Sequence, residues 1–195
     1  MTQALDTIRR EHESLAKVLM CLRHLAEALQ EGSRKPDFKI LYAILDYLEG
    51  FPDTYHHPKE EEFLFKALRQ RRPAAAPLLD KLHEEHAEGV ALAAELRASL
   101  EAYRRDPSAS QRFSSAAEAY VDFGRKHMVH EEREILPLAQ EALNDEDWKE
   151  INAAFALNHD PIGEQMFGVA REKKFDALLA TILKFTQEPA GPSTA

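Results

Sequence analysis

The stretch Tyr55-His56-His57-Pro58-Lys59-Glu60-Glu61-Glu62-Phe63-Leu64-Phe65 decides how the rest of the chain is read. Its chemical content is His56 and Glu60, four residues apart. On a helix that spacing is about one turn, so imidazole and carboxylate share a face, roughly 6 Å apart along the axis. Neutral imidazole with carboxylate is a ligand mixture that iron, manganese or zinc accepts. A second copy follows in His127-Met128-Val129-His130-Glu131-Glu132-Arg133-Glu134-Ile135-Leu136-Pro137. There His127 and Glu131 keep the spacing, and Ile135-Leu136 stand where Leu64-Phe65 stood.

The repetition extends outward. His56/Glu60 and His127/Glu131 are 71 positions apart, and an upstream pair, Glu11-His12, is echoed by Glu85-His86 after 74. Each of these pairs falls in a segment whose apolar residues recur in steps of three and four, the signature of a helix with one buried face. The first segment, capped by Asp6 or Thr7 and stopped by Gly32-Ser33, carries Ile8, His12, Leu15, Leu19, Leu22, Ala26 and Leu29. The second begins after Pro36-Asp37 with Leu41, Ile44, Leu45 and Leu48. Pro52 is expected to break or kink it before a continuation with His56, Glu60, Phe63, Leu64 and Ala67. From Pro77 a third reads Leu79, Leu82, His86, Gly89, Ala93, Leu96 and Leu100. The fourth starts after Ser108 or Ser110 and reads Phe113, Ala117, Tyr120, Gly124, His127, Glu131, Ile135 and Leu138.

Four such helices with short links predict an all-α, up-down-up-down four-helix bundle over residues 1–143. Residues 144–188 form a C-terminal helical extension in this reading. A short helix capped by Asn144-Asp145 carries Trp148, Ile151, Phe155 and Leu157, and a last amphipathic one carries Phe175, Leu178, Leu179, Ile182 and Phe185. The extension is expected either to pack on the bundle or to join two chains as a homodimer. Residues 189–195 read as a disordered tail.

Composition narrows the partners. The 25 basic and 34 acidic residues leave a charge of −9, which disfavours nucleic acid. No apolar run reaches the ~20 residues of a membrane span, and Met1 to Glu11 is unlike a targeting segment. One cysteine, Cys21, cannot make an internal disulfide, so the expected location is the cytoplasm.

Two hairpins related by a pseudo-twofold axis would each bring two histidines and one glutamate to the same core. His12, His56, His86 and His127 with Glu60 and Glu131 suit two metal ions, each taking two nitrogens, with both carboxylates bridging. A solvent-derived oxide or hydroxide bridge would give each ion five ligands and leave room for a small molecule. Iron ranks first for this donor set, with manganese and zinc behind it. Several neighbours compete. His57/Glu61 repeats the four-residue spacing about 100° around the helix, but aligning Leu64-Phe65 with Ile135-Leu136 selects His56/Glu60. His83 reads as a boundary residue or an added ligand, His130 and Glu132 as surface or supporting residues, and His24 as exposed. Tyr120 reads as core packing before an approach to the metals, and His159 as part of a turn before a cap on the metal site.

With Glu11-His12, His56-His57-x-x-Glu60-Glu61, Glu85-His86 and His127-x-x-His130-Glu131-Glu132 in hand, the chain resembles the hemerythrin-like (HHE cation-binding) family over roughly residues 5–143. The resemblance implies a four-helix bundle holding a non-haem di-iron centre. His12, His56, His86 and His127 would be ligands and Glu60 and Glu131 the bridges. The chain departs from the oxygen carriers, which place a His-x-x-x-His pair on the third helix: positions 82 and 90 are Leu and Val, and His83 stands three residues before His86. The set is nearer the bacterial four-histidine, two-glutamate type. The implied function is binding of O2, NO or peroxide for sensing, storage or stress response. Iron donation in iron–sulfur cluster repair and a di-iron oxidoreductase acting on peroxide or NO are the alternatives. Binding rather than turnover is expected, because no acid, base or nucleophile stands apart from the ligand set.

Overall fold

Apolar side chains at three- and four-residue steps can leave water only by facing one another, and four long helices achieve this here. In the computed structural model the described residues are 2–33 and 35–162, with Leu178, Ala180, Thr181, Ile182 and Lys184 beyond them. Helix α1 is Gln3–Gln30 and ends at Gly32, whose φ of 68° is a left-handed stop. Helix α2 covers residues 38–71, and the Asp37 side chain accepts from the backbone N–H groups of Lys39 and Ile40 at its start. Helix α3 is Ala76–Arg105, α4 covers residues 110–142, and a short α5 is Asp145–Phe155.

Cross-helix pairs set the directions. Between α2 and α3, Tyr42 meets Glu101, Arg97 meets Glu49 and Arg69 meets Asp80, so the two run antiparallel. Gln30 with Gln111 and Arg23 with Asp122 do the same for α1 and α4. Arg112 with Glu95 and His127 with Glu85 do it for α3 and α4. The bundle is therefore up-down-up-down.

Its interior has two apolar layers. One includes Leu22, Ile44, Leu48, Leu100, Phe113 and Val121, and the other Leu5, Ile8, Phe65, Leu68, Leu82, Ile135 and Leu136. On every helix the six histidines and glutamates singled out above fall between these layers, and all six are buried.

Three features depart from simple periodicity. First, α2 is not broken at Pro52. It passes through a π-helical turn, Pro52–His56, and a second one, Glu60–Phe65; α4 has its counterpart at Glu131–Ile135, just before Pro137. A wider turn absorbs an extra residue and rotates everything after it. Leu68 therefore takes the buried place expected for Ala67, and Ala139 that expected for Leu138, the same one-residue slip in both copies. Secondly, α1 begins before Asp6, because Asn152 Oδ1 of α5 accepts from the Ala4 backbone N–H at 2.8 Å. A cap supplied from 148 residues away leaves no local signature. Thirdly, α5 is capped by Asn144 in a reciprocal box with Asp147, as its sequence suggests, but Leu157 is exposed.

Helix α5 lies on the bundle, with Trp148, Ile151 and Phe155 in the second apolar layer and Arg71 paired to Asp147. Beyond it, Ile162, Leu178 and Ile182 are buried in the first layer, so this part of the extension packs on the bundle. Phe175, Leu179 and Phe185, and the tail expected over 189–195, lie outside the described residues. Among the described residues no helix is long and apolar enough to cross a membrane.

Phe113 is fully buried whereas Val90 is 51% exposed. Phe113→Ala is expected to cost about 3–5 kcal/mol in urea unfolding, and Val90→Ala no more than about 0.5 kcal/mol. Equal losses would contradict this placement of the core.

Candidate metal centre

The polar layer draws one turn from each long helix. His12 comes from α1, His56 and Glu60 from α2, His86 from α3, and His127 and Glu131 from α4. One donor atom from each of His12, His56, Glu60 and Glu131 lies within 4.8 Å of the others, a group able to hold a metal ion. His57, His86 and His127 form a second such group. The glutamates connect them. Glu60 Oε1 is 3.4 Å from His56 Nε2 and Oε2 is 3.7 Å from His86 Nε2. Glu131 Oε2 is 3.2 Å from His12 Nε2, while Oε1 is 3.4 Å from His127 Nε2 and 3.6 Å from His86 Nε2.

Each histidine is aimed by a carboxylate on another helix. The Nδ1–H of His56 donates to Glu11 at 2.7 Å, that of His127 to Glu85 at 3.0 Å, that of His12 to Glu132 at 3.0 Å, and that of His86 to Glu61 at 2.9 Å. These four bonds obey the pseudo-twofold relation: Glu11 and Glu85 precede the histidines of α1 and α3, while Glu61 and Glu132 follow the central glutamates of α2 and α4. A carboxylate at Nδ1 keeps the proton there and leaves the Nε2 lone pair facing inward. His12 and His56 consequently point two lone pairs at each other across 3.2 Å, which repel unless a proton or cation lies between them.

The layer is under electrostatic tension. Both oxygens of Glu60, both of Glu131, and Nε2 of His86 and His127 are buried without a hydrogen-bond partner among the described residues. Burying a carboxylate without compensation costs several kcal/mol. The protein's own groups respond unevenly. Burial and then Glu131 drive Glu60 well above the usual carboxylate range. Burial opposes charge on Glu131 too, yet His127, His12 and His86 hold it well below that range. Burial works against a charge on His12, but Glu131 and Glu132 outweigh it and bring the ring up to about 9. Burial pulls His56 down against the pull of Glu11. Six inward acceptors with no donor are the environment that a divalent cation satisfies, so the residues fit a metal site.

The neighbours sort clearly. His83 is exposed and shares Glu61 with His86, and His130 shares Glu85 with His127. His24 is exposed and its Nδ1–H donates to the Met20 carbonyl oxygen. His159 is exposed, but the residue before it reaches inward: the Asn158 side-chain N–H donates to Glu11 Oε1 at 2.9 Å, and Asn158 Oδ1 accepts from Lys59. Burial, followed by Asp53 and Glu49, pushes the Tyr120 hydroxyl up. His57, set aside by the alignment of the two motifs, reaches the layer as well; burial and then His86, His56 and His127 hold it well below its usual range. The supporting roles of Glu11, Glu61 and Glu85 escape a search for ligands, although the repeat carries them at the same offsets.

A cavity of about 40 Å³ adjoins the layer. Leu15, Leu19, Leu48, Phe123 and Met128 line it together with His12, His56, His57, His86 and His127. Glycines at 89 and 124 keep its walls thin: a Cβ on Gly89 would come within 3.1 Å of Phe123, and one on Gly124 within 3.0 Å of Leu19.

No curated protein matches the chain. The Hemerythrin HHE cation binding domain matches residues 3–139, which take in three of the long helices, all but the last turn of α4, and every residue of the layer. By that match, together with a helical core built around a histidine–glutamate layer able to hold metal, the chain belongs to the hemerythrin HHE cation binding domain family.

Proposed function

We propose that the chain holds two iron ions in this layer and binds a small uncharged molecule there, O2 or NO first and peroxide second, for sensing, storage or stress response in the cytoplasm. What carries the reading is the set of six unpartnered inward atoms standing beside a small, mostly apolar cavity. In it, His12 and His56 take one ion, His86 and His127 the other, and Glu60 and Glu131 span both. The histidine-rich donor set favours iron, with manganese or zinc as substitutes. When bound, such a pair supplies open coordination positions and exchangeable electrons.

The remaining work falls to the chain. Glu11, Glu61, Glu85 and Glu132 hold the Nδ1 protons and keep the Nε2 atoms turned inward. Leu15, Leu19, Leu48 and Phe123 present apolar surface, which favours a small neutral molecule over an anion in the cavity. Access is supported by a groove of about 300 Å³ on the outside of α1 and α4, which shares His12 and Met128 with the inner cavity.

Metal analysis of anaerobically purified protein, with absorption spectra before and after O2 and NO, tests this reading. It requires about two ions per chain and a reversible spectral change with one of the gases. A chain that takes up no iron, or iron whose spectrum ignores both gases, refutes it. His56→Ala and Glu131→Ala are each expected to lose the metal and, with it, the rise in Tm that metal gives the parent chain. Asn158→Ala should weaken iron about 10- to 100-fold in chelator competition, because it frees Glu11 and through it His56. Asn152→Ala, which removes only the cap on Ala4, should leave affinity alone and cost about 1 kcal/mol of stability.

A further inference from the structure

One residue of the layer breaks its symmetry. At the 71-residue offset that pairs His56 with His127, Glu60 with Glu131 and Glu61 with Glu132, His57 falls opposite Met128 and Asp53 opposite Gly124. His57 is nevertheless placed like its neighbours. Its side chain is 17% exposed, and its Nδ1–H donates to Asp53 at 3.2 Å, a carboxylate at Nδ1 as for the other four rings but supplied by the same helix one turn earlier. One of its nitrogens lies within 4.8 Å of a nitrogen of His86 and one of His127.

The ring separations add a metrical argument. Imidazoles bound at right angles on one ion, with metal–nitrogen bonds of about 2.1 Å, have centroids roughly 4.5 Å apart. His57 and His86 are 4.2 Å apart, His86 and His127 4.9 Å, and His57 and His127 5.5 Å. His57 lies 20° from parallel with His86 and 88° from His127, so these separations admit one shared ion once the His57 ring turns out of its stack on His86. The backbone explains how two successive residues reach one layer. Neighbours on an α-helix point about 100° apart, but His57 directly follows the π-helical turn Pro52–His56, where the wider winding brings successive side chains closer in direction.

We propose that His57 is a fifth imidazole of the centre, binding the ion held by His86 and His127, so that one ion takes three ring nitrogens and the other, at His12 and His56, takes two. This rests on the two-metal reading above and deepens it. The fifth nitrogen comes from the second helix, next in sequence to another ligand, and Asp53 positions it. Counting both bridging carboxylates, the ion at His12 and His56 is left with the emptier coordination sphere, on the side where Met128 replaces the symmetry-related histidine.

The test uses the full chain, stripped of metal and titrated with Co²⁺ without oxygen. Two quantities are read: the affinity for each cobalt, and the number of strongly shifted, exchangeable imidazole N–H proton resonances, which count the histidines bound to cobalt. The parent chain should bind two cobalt ions and show five such resonances. His57→Ala and His57→Gln should each lose one resonance and weaken one cobalt by at least about tenfold, while the other cobalt keeps its affinity. Glutamine retains a side-chain N–H toward Asp53, so that variant separates ligation from packing. Two cobalt ions with four resonances in the parent chain overturn the role of His57 and leave the two-metal reading intact. Failure of the parent chain to bind cobalt or iron overturns both. If neither variant folds, the count in the parent chain decides.

Discussion

Everything in this structure accommodates one unfavourable arrangement: six acceptor atoms turned toward the middle of an apolar bundle with no hydrogen-bond partner among the described residues. A soluble four-helix bundle has no structural need of such a layer, since leucines at the same positions would pack at no electrostatic cost. Two ring nitrogens 3.2 Å apart at His12 and His56, and two carboxylates forced to opposite protonation tendencies, are tolerable only where a proton or a cation lies among them. The apolar layers above and below make the demand sharper, because low polarizability around the donors raises both the cost of leaving them unmet and the gain when a cation meets them.

The ring of carboxylates behind the histidines makes bundle and site a single object. Each bond from Nδ1 to glutamate crosses between helices: α1 to α2 through Glu11, α2 to α3 through Glu61, α3 to α4 through Glu85, and α4 to α1 through Glu132. The circuit closes, so rotating any one helix misaims two imidazoles. The extension enters the same circuit at Glu11, where Asn158 takes the second carboxylate oxygen while Lys59 holds Asn158 in turn. Nearby, the Tyr47 hydroxyl donates to Asp160. Segments beyond residue 139, where the family match stops, thus bear on the geometry of the polar layer.

This division explains what the sequence revealed. The all-α architecture and the layer were legible because they rest on spacing alone: steps of three and four, and a motif recurring at 71 and 74. What escaped depends on winding or on distance along the chain. The π-helical turns rotate Leu68 and Ala139 into the places of Ala67 and Leu138, and nothing in an apolar pattern distinguishes that slip from an ordinary boundary. Asn152 capping α1 and Asn158 gripping Glu11 join residues roughly 150 positions apart. The nearness of His57 to His86 and His127 is hidden for a different reason: aligning two copies of a motif rewards what they share, and position 57 is one where they differ.

That last point bears on why a repeated scaffold would abandon its symmetry at His57 and Asp53. A strictly twofold layer would give both halves the same donors and therefore the same affinity for any small molecule entering between them. Exchanging Met128 and Gly124 for His57 and Asp53 adds a nitrogen and a carboxylate on one side, and leaves a soft thioether beside a thin wall on the other. The cavity is lined by Leu19, Met128 and His12 as well as by His57, His86 and His127. The two halves of the layer therefore offer unlike donors and unlike contacts to whatever enters between them. Direction is thereby built into a bundle whose helices alone would supply none.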